Sequence, residues 1–316
     1  MSRYFYELIR SLHKLNKHIA VIPSKNDNFY YEKLSSGGFL TDHSYKNEFI
    51  QGELRTMNHF HKPFIYHQTF YSDMRVAHNI DTRGRIILTV QDLIHKLFEN
   101  KAGRQLFKRD IVKKSIKRAD HIICPSQQTK TDLINFYGVL ENKVSVVHHG
   151  VRLNVSAHPK RLILSSHKPF LLFVGQRSGY KNFIGLLEAF SMSQGLMKNF
   201  NIVAFGGGEF TQNEVKLISQ LGISNQLFRV EGDDDVLSQL YSSAASLVYP
   251  SFYEGFGFPP LEAMSVGCTV IASNSGSVPE ICDQAAIYFN PHDLENLKDT
   301  LEETVGNTTL KLKKLT

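Results

Sequence analysis

The residues best suited to chemistry lie in one turn between a predicted strand and a predicted helix. The apolar run Ala245–Tyr249 predicts a buried strand, and Pro259 with Pro260 marks the first turn of a helix, where proline is tolerated. Between them, Gly255 and Gly257 carry no side chains that would keep a ligand away from the backbone. The N–H groups at the start of the helix favour an anion. The turn is therefore a candidate anion site.

Two glutamates flank that turn. Glu254 lies on the turn, and Glu262 follows eight residues later, inside the helix. Carboxylates accept hydrogen bonds from hydroxyl groups, so carboxylates on either side of an anion site suggest a ligand that carries both phosphates and hydroxyls. A nucleotide sugar carries both. The alternative is a strand–turn–helix unit whose glutamates are only solvated.

A second turn of the same kind carries cations. The continuous apolar run Phe170–Val174 predicts a strand buried on both faces, and Gly175 opens the turn that follows it. Arg177 and Lys181 flank this turn. Arginine can bind a diphosphate through a bidentate fork and lysine as a point charge. The alternative is that both are ordinary surface cations.

The stretch from Tyr249 to Met264 resembles the E-x7-E signature of glycosyltransferase family 4, the retaining transferases of the two-domain GT-B fold. The resemblance covers about 3–316, is strongest across 170–290, and favours a mannosyltransferase-like branch. It implies that Glu254 and the backbone amides of the turn hold the donor sugar, and that Glu262 holds the ribose. It also implies diphosphate contacts at the second turn and a contact between the nucleotide base and the backbone near Val230. The donor-binding residues implied in this way are Gly175, Phe256, Gly257, Phe258, Glu262 and Val230, beside the catalytic group Glu254, Arg177, Lys181 and Asp92.

Two strand ends in the first half supply the remaining candidates. Phe64–His67 and Arg85–Val90 each predict a strand, and residues at the carboxyl ends of parallel strands line the crevice of such sheets. His67 and Asp92 are therefore site candidates, although a core histidine is an equal alternative for His67. The family commonly has His-Asp where this chain has Gln91 before the aspartate. A glutamine can bond a sugar hydroxyl but cannot carry a proton at neutral pH. We place His67 and Gln91 on the acceptor side.

Strands alternate with helices twice along the chain, with a polar hinge near 150–168. The predicted fold class is α/β: GT-B, two doubly wound Rossmann-like domains facing a cleft. We expect an N-terminal acceptor-side domain over 1–155 and a C-terminal nucleotide-sugar donor domain over 156–316. The strand and glycine-rich turn that precede the family's first helix have no counterpart before residue 3, and the family's C-terminal helix is longer. We therefore expect either a chain shortened at both ends, with activity impaired by that truncation, or a misplaced start site.

Composition narrows the function classes. The 316 residues are 42% apolar and 21% charged, as in a soluble globular protein. The sequence contains no apolar run of about 18 residues and no apolar signal-peptide core at the N-terminus. The three cysteines are scattered and indicate reduced core residues in a cytoplasmic protein. Gly206–Gly208 does not complete a dinucleotide fingerprint, and His148 and His149 have no third ligand at a recognisable spacing, so we expect neither a nicotinamide cofactor nor a metal.

Charge is distributed unevenly. Residues 1–150 contain 23 Lys and Arg against 14 Asp and Glu, whereas residues 151–316 contain 13 against 16. Within the basic half, 101–118 predicts an amphipathic helix with eight basic residues and one acidic residue. Such a helix can make a peripheral contact with an anionic membrane at its inner face, although a solvated outer helix face is the favoured interpretation. We expect no nucleic-acid partner. In the second half, Glu280 is expected to cap the helix in which it lies.

We therefore predict a retaining hexosyltransferase that moves a sugar from a nucleotide-diphosphate sugar, GDP-mannose or a UDP-sugar, to a glycan or lipid-linked acceptor in polysaccharide or glycoconjugate synthesis. No separate cofactor is expected, because the nucleotide sugar is the substrate. Two alternatives stay open. The first is a non-catalytic sugar-nucleotide-binding relic, favoured by Gln91 and the shortened ends. The second is a GT-B epimerase or hydrolase of sugar nucleotides.

Overall fold

The computed structural model describes the chain in six segments, 3–15, 64–68, 84–98, 105–151, 168–177 and 179–306. Contacts divide the chain into two compact units. The first consists of residues 1–90, 100–124 and 130–149, and the second of residues 91–99, 125–129 and 150–316. Among the described residues, no helix has both the length and the apolar character needed to cross a membrane.

The first unit contains a parallel sheet with strand order β1-β2-β3-β4. The elements up to residue 151 are α1 (Arg3–Lys14), β1 (Phe64–Gln68), β2 (Gly84–Thr89), α2 (Ile94–Leu97), α3 (Gln105–Arg118), β3 (His121–Cys124), α4 (Gln127–Tyr137) and β4 (Val144–Val146). In β3, Ile122 and Cys124 are fully buried while the alternate residues are partly exposed. The sheet therefore has one face in the core, and Val112 and Ile116 of α3 are buried as well.

The sequence predicts a helix that is capped by Ser126 and ended by Gly138, and α4 has those ends. The Ser126 hydroxyl accepts a hydrogen bond from the N–H of Thr129 at 3.1 Å, as an N-cap residue does. Gly138 follows the helix with φ of +63°, and its N–H donates to the carbonyl of Ile134. The sequence also predicts a strand at His18–Pro23 and a long polar excursion over 24–62, and both lie outside the described residues.

The second unit contains a six-stranded parallel sheet with strand order β10-β9-β8-β5-β6-β7. Its elements from residue 168 onward are β5 (Phe170–Val174), α5 (Phe183–Ser191), α6 (Gln194–Asn199), β6 (Asn201–Phe205), α7 (Gln212–Gln220), β7 (Leu227–Val230), α8 (Asp234–Ser243), β8 (Ser246–Tyr249), α9 (Phe258–Ser265), β9 (Val270–Ser273), α10 (Val278–Cys282), β10 (Ile287–Phe289) and α11 (Leu294–Gly306). The chain leaves β5 toward β6 on one side and returns beside it as β8 on the other. This is the doubly wound order, whose crevice lies at the carboxyl ends of the strands where the direction reverses.

Both faces of this sheet are covered. All five residues of β5 are buried, as expected for a central strand with helices on each side. On one face Phe183, Leu186 and Phe190 of α5 join Leu297 and Leu301 of α11 in a single apolar cluster. A second apolar cluster on β5 and β8 includes residues of α8, α9 and α10. The core thus fixes the ends of β5 and β8 side by side, and the two candidate turns start there.

Candidate functional site

The glycine-rich turn leads from β8 directly into α9. Gly257 is the N-cap residue of α9 with φ of +109°, a conformation that favours glycine, and the first turn of α9 contains prolines, as predicted. Phe256 is buried and its ring meets the half-exposed ring of Phe258 edge-on, with 5.2 Å between centroids. The turn therefore presents the backbone at the start of α9 next to a buried aromatic pair.

Lys181 and Glu254 form a buried ion pair between the two turns. The Lys181 ammonium lies 2.7 Å from Glu254 Oε1, and the two side chains are 13% and 8% exposed. The ammonium also donates to the Tyr249 hydroxyl at 3.3 Å. Burial raises the pKa of Tyr249 well above its ordinary value, and the charge of Glu254 and a hydrogen bond to it raise this pKa further. The carboxylate of Glu254 thus lies between an ammonium and a phenol that stays neutral.

Tyr249 is a site residue that the sequence argument missed. It is the last residue of β8 and is 1% exposed. Its position at the carboxyl end of a buried strand, five residues before Glu254, is the signal that could have found it.

Arg177 lies in the same turn as Lys181 but has different partners. Its Nε donates to Glu214 at 2.9 Å, and its two terminal nitrogens donate to the carbonyls of Gly206 and Glu209 at 2.8 and 2.7 Å. The guanidinium also lies over the ring of Phe210, 4.7 Å from the centroid. A guanidinium has five N–H groups, and three of them are used within the protein. The direct diphosphate contact that the resemblance implies stays a prediction.

The partner of Arg177 is itself part of a helix cap. Glu214 and Thr211 form a reciprocal capping box at the start of α7. Burial acts to raise the pKa of Glu214, but hydrogen bonds from Arg177 and Thr211 outweigh it and hold that pKa below its ordinary value. The ion pair therefore ties the first turn after β5 to the start of α7.

Three consecutive glycines form the loop that Arg177 holds. Gly206, Gly207 and Gly208 have φ of +84°, +78° and +70°, a region that other residues adopt only with strain. A Cβ on Gly207 would lie 2.8 Å from Arg177 Nη1 and 3.1 Å from the carbonyl oxygen of Gly175. Side chains are therefore disfavoured throughout the loop by its conformation and, at Gly207, also by packing.

The second glutamate of the motif has its own hydrogen-bond partner. The Tyr241 hydroxyl donates to Glu262 Oε2 at 3.1 Å. Tyr241 is fully buried, and burial, followed by the charge of Glu262, raises the pKa of its hydroxyl. The phenol therefore remains a proton donor and fixes one oxygen of the predicted ribose-binding carboxylate. Tyr241 is not among the predicted site residues, because its position on α8 gives no local signal.

Gln91 and Asp92 pack against the glycine-rich turn within the second unit. A Cβ on Gly255 would lie 2.2 Å from the Gln91 carbonyl oxygen and 2.6 Å from Asp92 Cβ. Only glycine permits that approach. One Asp92 oxygen accepts a hydrogen bond from the N–H of Ile94 at 3.0 Å. Burial raises the pKa of Tyr180 to about 12, with further contributions from the charges of Glu254 and Asp92. The phenol of Tyr180 therefore lies near both carboxylates.

The remaining predicted site residues are His67, Val230 and Gly175. His67 belongs to the first unit, where its Nε2 lies 2.7 Å from the Thr89 hydroxyl and burial lowers its pKa. Val230 ends β7, and its carbonyl accepts a hydrogen bond from the Gly206 N–H at 3.3 Å. Gly175 has φ of +126° at the end of β5. Gly175 and Val230 thus flank the glycine loop, and their donor contacts stay predictions.

The expected role of Glu280 is wrong. It lies in the first turn of α10, but both oxygens of its carboxylate bond another helix and accept hydrogen bonds from the N–H groups of Gln127 and Gln128 at 2.7 and 3.2 Å. These are the first two residues of α4, which has eleven residues against five in α10. The longer helix presents a full set of N-terminal N–H groups and a larger dipole, and the carboxylate lies within reach of it.

Comparison with known families gives two matches that together span almost the whole chain. The family model described as glycosyl transferases group 1 matches residues 155–314. The model described as glycosyltransferase family 4 matches residues 1–155.

Curated relatives include bacterial mannosyltransferases. The O-antigen chain mannosyltransferase RfbU of Salmonella typhimurium is 25% identical over 320 residues, which cover 96% of this chain and 86% of that protein. The serotype-specific mannosyltransferase WbdA of Escherichia coli is 28% identical over 203 residues, 60% of this chain. The match spans only a quarter of the length of WbdA.

Solved structures share the fold. A glycosyltransferase from Rickettsia africae aligns with a TM-score of 0.74 at 17% identity, over 99% of this chain and 88% of that one. Anabaena Alr3699/HepE, solved in complex with UDP-glucose, aligns with a TM-score of 0.69 at 17% identity, over 92% and 82% of the two chains. The predicted fold class is confirmed, with two Rossmann-like parallel sheets of the GT-B type.

Proposed function

This chain belongs to the glycosyl transferases group 1, of the family 4 type, and from that premise we propose that it is a retaining hexosyltransferase. It moves a sugar from a nucleotide-diphosphate sugar to a glycan or lipid-linked acceptor. The observation that carries the proposal is the buried Lys181–Glu254 pair beside the start of α9. It places a cation, a carboxylate and helix N–H groups together at the carboxyl edge of the sheet.

The reaction breaks the bond between the anomeric carbon and the diphosphate oxygen, which leaves with the electron pair. Negative charge develops on the diphosphate, and Lys181 and the N–H groups at the start of α9 lie where they would stabilise it. The acceptor hydroxyl oxygen bonds the anomeric carbon on the same face, and its proton passes to the departing phosphate oxygen. Configuration is thereby retained.

Glu254 orients the donor sugar in this proposal. Its carboxylate is paired with Lys181 and hydrogen-bonded to Tyr249, which lowers its nucleophilicity but leaves lone pairs for sugar hydroxyls. Asp92 and Gln91, packed on Gly255, would then border the sugar, while Glu262 binds the ribose. On the acceptor side we retain His67 as a candidate.

Mannose is the donor sugar we favour, because several relatives are named mannosyltransferases. GDP-mannose is accordingly the first donor to test, and UDP-glucose the second, since a structural neighbour was solved with it. The name of RfbU supports a polysaccharide acceptor. We assign the donor to a domain over 156–316 and the acceptor to a domain over 1–155, with no metal required. The exposed lysines of α3 are the candidate for contact with anionic lipid.

The test is calorimetric titration with GDP-mannose and UDP-glucose, followed by product analysis with and without a lipid-linked glycan acceptor. We expect one nucleotide sugar to bind and the Glu262→Ala variant to lose most of that affinity. Glu303→Ala, an exposed carboxylate on α11, is the matched control.

Each outcome separates one rival. Nucleotide-sugar binding without sugar transfer would indicate the non-catalytic relic. A gain of transfer in Gln91→His would then show that the relic is a damaged enzyme. Free or epimerised sugar without acceptor would indicate a hydrolase or epimerase. If neither nucleotide sugar binds the wild-type protein, the proposed function is wrong.

A further inference from the structure

The backbone of the glycine-rich turn is held by hydroxyl groups from a distant segment. The Gly255 carbonyl accepts hydrogen bonds from Ser126 Oγ at 2.7 Å and from Thr129 Oγ1 at 3.2 Å. Ser126 and Thr129 are fully buried, and their two hydroxyl oxygens lie 3.1 Å apart. The Thr129 N–H donates to the Ser126 hydroxyl oxygen, which orients the serine proton toward Gly255.

The neighbouring carbonyls of the turn are held in the same way. Ser277 Oγ lies 3.0 Å from the Glu254 carbonyl and 2.9 Å from the Phe256 carbonyl, and its single O–H is shared between them. Ser275 Oγ donates to the Phe252 carbonyl at 2.6 Å. Four carbonyls of the turn therefore have hydroxyl donors, and those of residues 254–256 are consecutive.

Fixing the direction of a peptide carbonyl also fixes the direction of the N–H group in the same peptide. A trans peptide is planar, and its C=O and the following N–H point in opposite directions. None of the described peptide bonds is cis. The two hydroxyls on the Gly255 carbonyl therefore fix the direction of the Phe256 N–H, and Ser277 fixes those of Gly255 and Gly257. These directions lie away from the hydroxyl donors.

The other side of the same peptide is fixed by packing. Gln91 and Asp92 approach Gly255 so closely that no Cβ fits between them, and Gly276, with φ of +62°, lies against the Glu254 backbone. The peptide at 255–256 is thus restrained by hydrogen bonds at its oxygen and by contacts at its α-carbon. A preorganised N–H is worth most in catalysis, because it needs no reorganisation when charge develops.

We propose that Ser126 and Thr129 are positioning residues for sugar transfer. They hold the Gly255–Phe256 peptide so that the Phe256 N–H faces the donor. The proposal rests on the proposed function, since the donor is the nucleotide sugar. A purely structural role, in which the hydroxyls only satisfy a buried carbonyl, would lower stability without a specific effect on turnover.

The test compares Ser126→Ala/Thr129→Val with a matched control. Thr304→Val also removes one buried hydroxyl that donates to a backbone carbonyl, that of Thr300 at 2.7 Å. We expect the double variant to lower kcat about 10-fold to 100-fold, toward the loss seen when one preorganised donor is removed. Affinity for GDP or UDP alone should change less than about twofold. The single variant Thr129→Ser, which keeps the hydroxyl, should have the kcat of the wild-type protein. Thr304→Val should also leave kcat unchanged.

Hydrogen exchange measured by mass spectrometry gives a readout that does not depend on turnover. The peptide spanning 252–258 should exchange faster in the double variant than in wild type or Thr304→Val. If the wild-type protein transfers no sugar, the proposed function fails, and this exchange rate still decides whether the hydroxyls hold the turn. An unchanged exchange rate, or a kcat no lower than that of the Thr304→Val control, would overturn the positioning role.

Discussion

Arg177 and Lys181 lie in the same turn after β5, and each forms a buried ion pair. The two pairs differ in the groups that surround them. Arg177 pairs with Glu214 and also donates to two backbone carbonyls. Lys181, four residues later, pairs with Glu254 and donates to the Tyr249 hydroxyl. The first pair ends on a helix cap and a glycine loop. The second ends on the turn between the two glutamates.

The comparison teaches that similar burial does not mean a similar role. The Arg177 side chain is 4% exposed and the Lys181 side chain 13%, yet Arg177 holds backbone whereas Lys181 holds a side chain that can re-pair with a ligand. An ammonium is a compact point charge on a flexible stem, so it can shift from a carboxylate to a phosphate. We therefore expect the Arg177 pair to govern stability and the Lys181 pair to govern transfer.

The largest effect should come from Arg177→Met. The substitution leaves Glu214 as a buried charge without its partner and removes the donors to Gly206 and Glu209. We expect the free energy of unfolding to fall by about 3–5 kcal/mol, measured by chemical denaturation. If the variant keeps its stability but loses all nucleotide-sugar binding, Arg177 does not serve mainly to stabilise the fold. That result would support a direct contact between Arg177 and the diphosphate.

The second effect is on catalysis. Lys181→Met should lower kcat/KM by about 100-fold or more, because a preorganised cation is lost where charge develops. Steady-state transfer kinetics measure it, with Lys216→Met, an exposed lysine on α7, as the control. The double variant Lys181→Met/Glu254→Gln removes the unpaired charge, so it should recover stability but not activity. Recovery of both would show that Lys181 is structural.

A smaller effect should follow Tyr241→Phe. Glu262 loses one hydrogen bond, worth about 1 kcal/mol, so the KM for the donor should rise about fivefold while kcat changes little. Tyr288→Phe, which removes a hydroxyl that donates to the Asp283 carbonyl at 2.6 Å, should leave donor KM unchanged. A fall in kcat without a change in KM would contradict ribose binding by Glu262.

The smallest effect is a pH dependence of stability. The pKa of Glu214 is lower in the folded protein than its ordinary value, so its ionised form is favoured by folding. The stability it contributes is present above its ordinary pKa of about 4.3 and is lost as pH falls through the lower folded value. Unfolding free energies measured between pH 6 and 3 should therefore decline less steeply in Glu214→Gln. Parallel curves would show that the ion pair contributes no stability.

Much of the second sheet could be predicted from the sequence. Apolar runs in the sequence predict strands at 170–174, 201–205 and 227–230, and all three are found with those bounds. Each is a mostly apolar run that ends at a glycine or at charged residues, and the burial of β5 and β6 on both faces leaves little ambiguity about their period. The sequence also predicts an N-cap at Ser126 and a helix that begins at 233–235, and both are found, because helix starts depend mainly on neighbouring residues.

The partners of the site residues could not be predicted in this way. Lys181 and Glu254 are 73 residues apart and meet only because the strand order places β8 beside β5. The same ordering decides that Arg177 turns to Glu214, which no spacing in the sequence indicates. Glu280 shows the limit of prediction from neighbouring residues. Its place in the sequence predicts a cap on its own helix, but in the fold its carboxylate bonds the start of α4.

The bond from Ser126 to the Gly255 carbonyl joins residues 129 positions apart, and this has a consequence for folding. Contacts so distant in the chain close large loops and form late, after the local pairing of β5 and β6. A nascent chain that has not yet been synthesised to residue 255 cannot make this bond. A heated or destabilised protein that loses this bond should therefore lose the fixed direction of the Phe256 N–H while the sheet persists. Activity would then report on complete folding more strictly than helix content does.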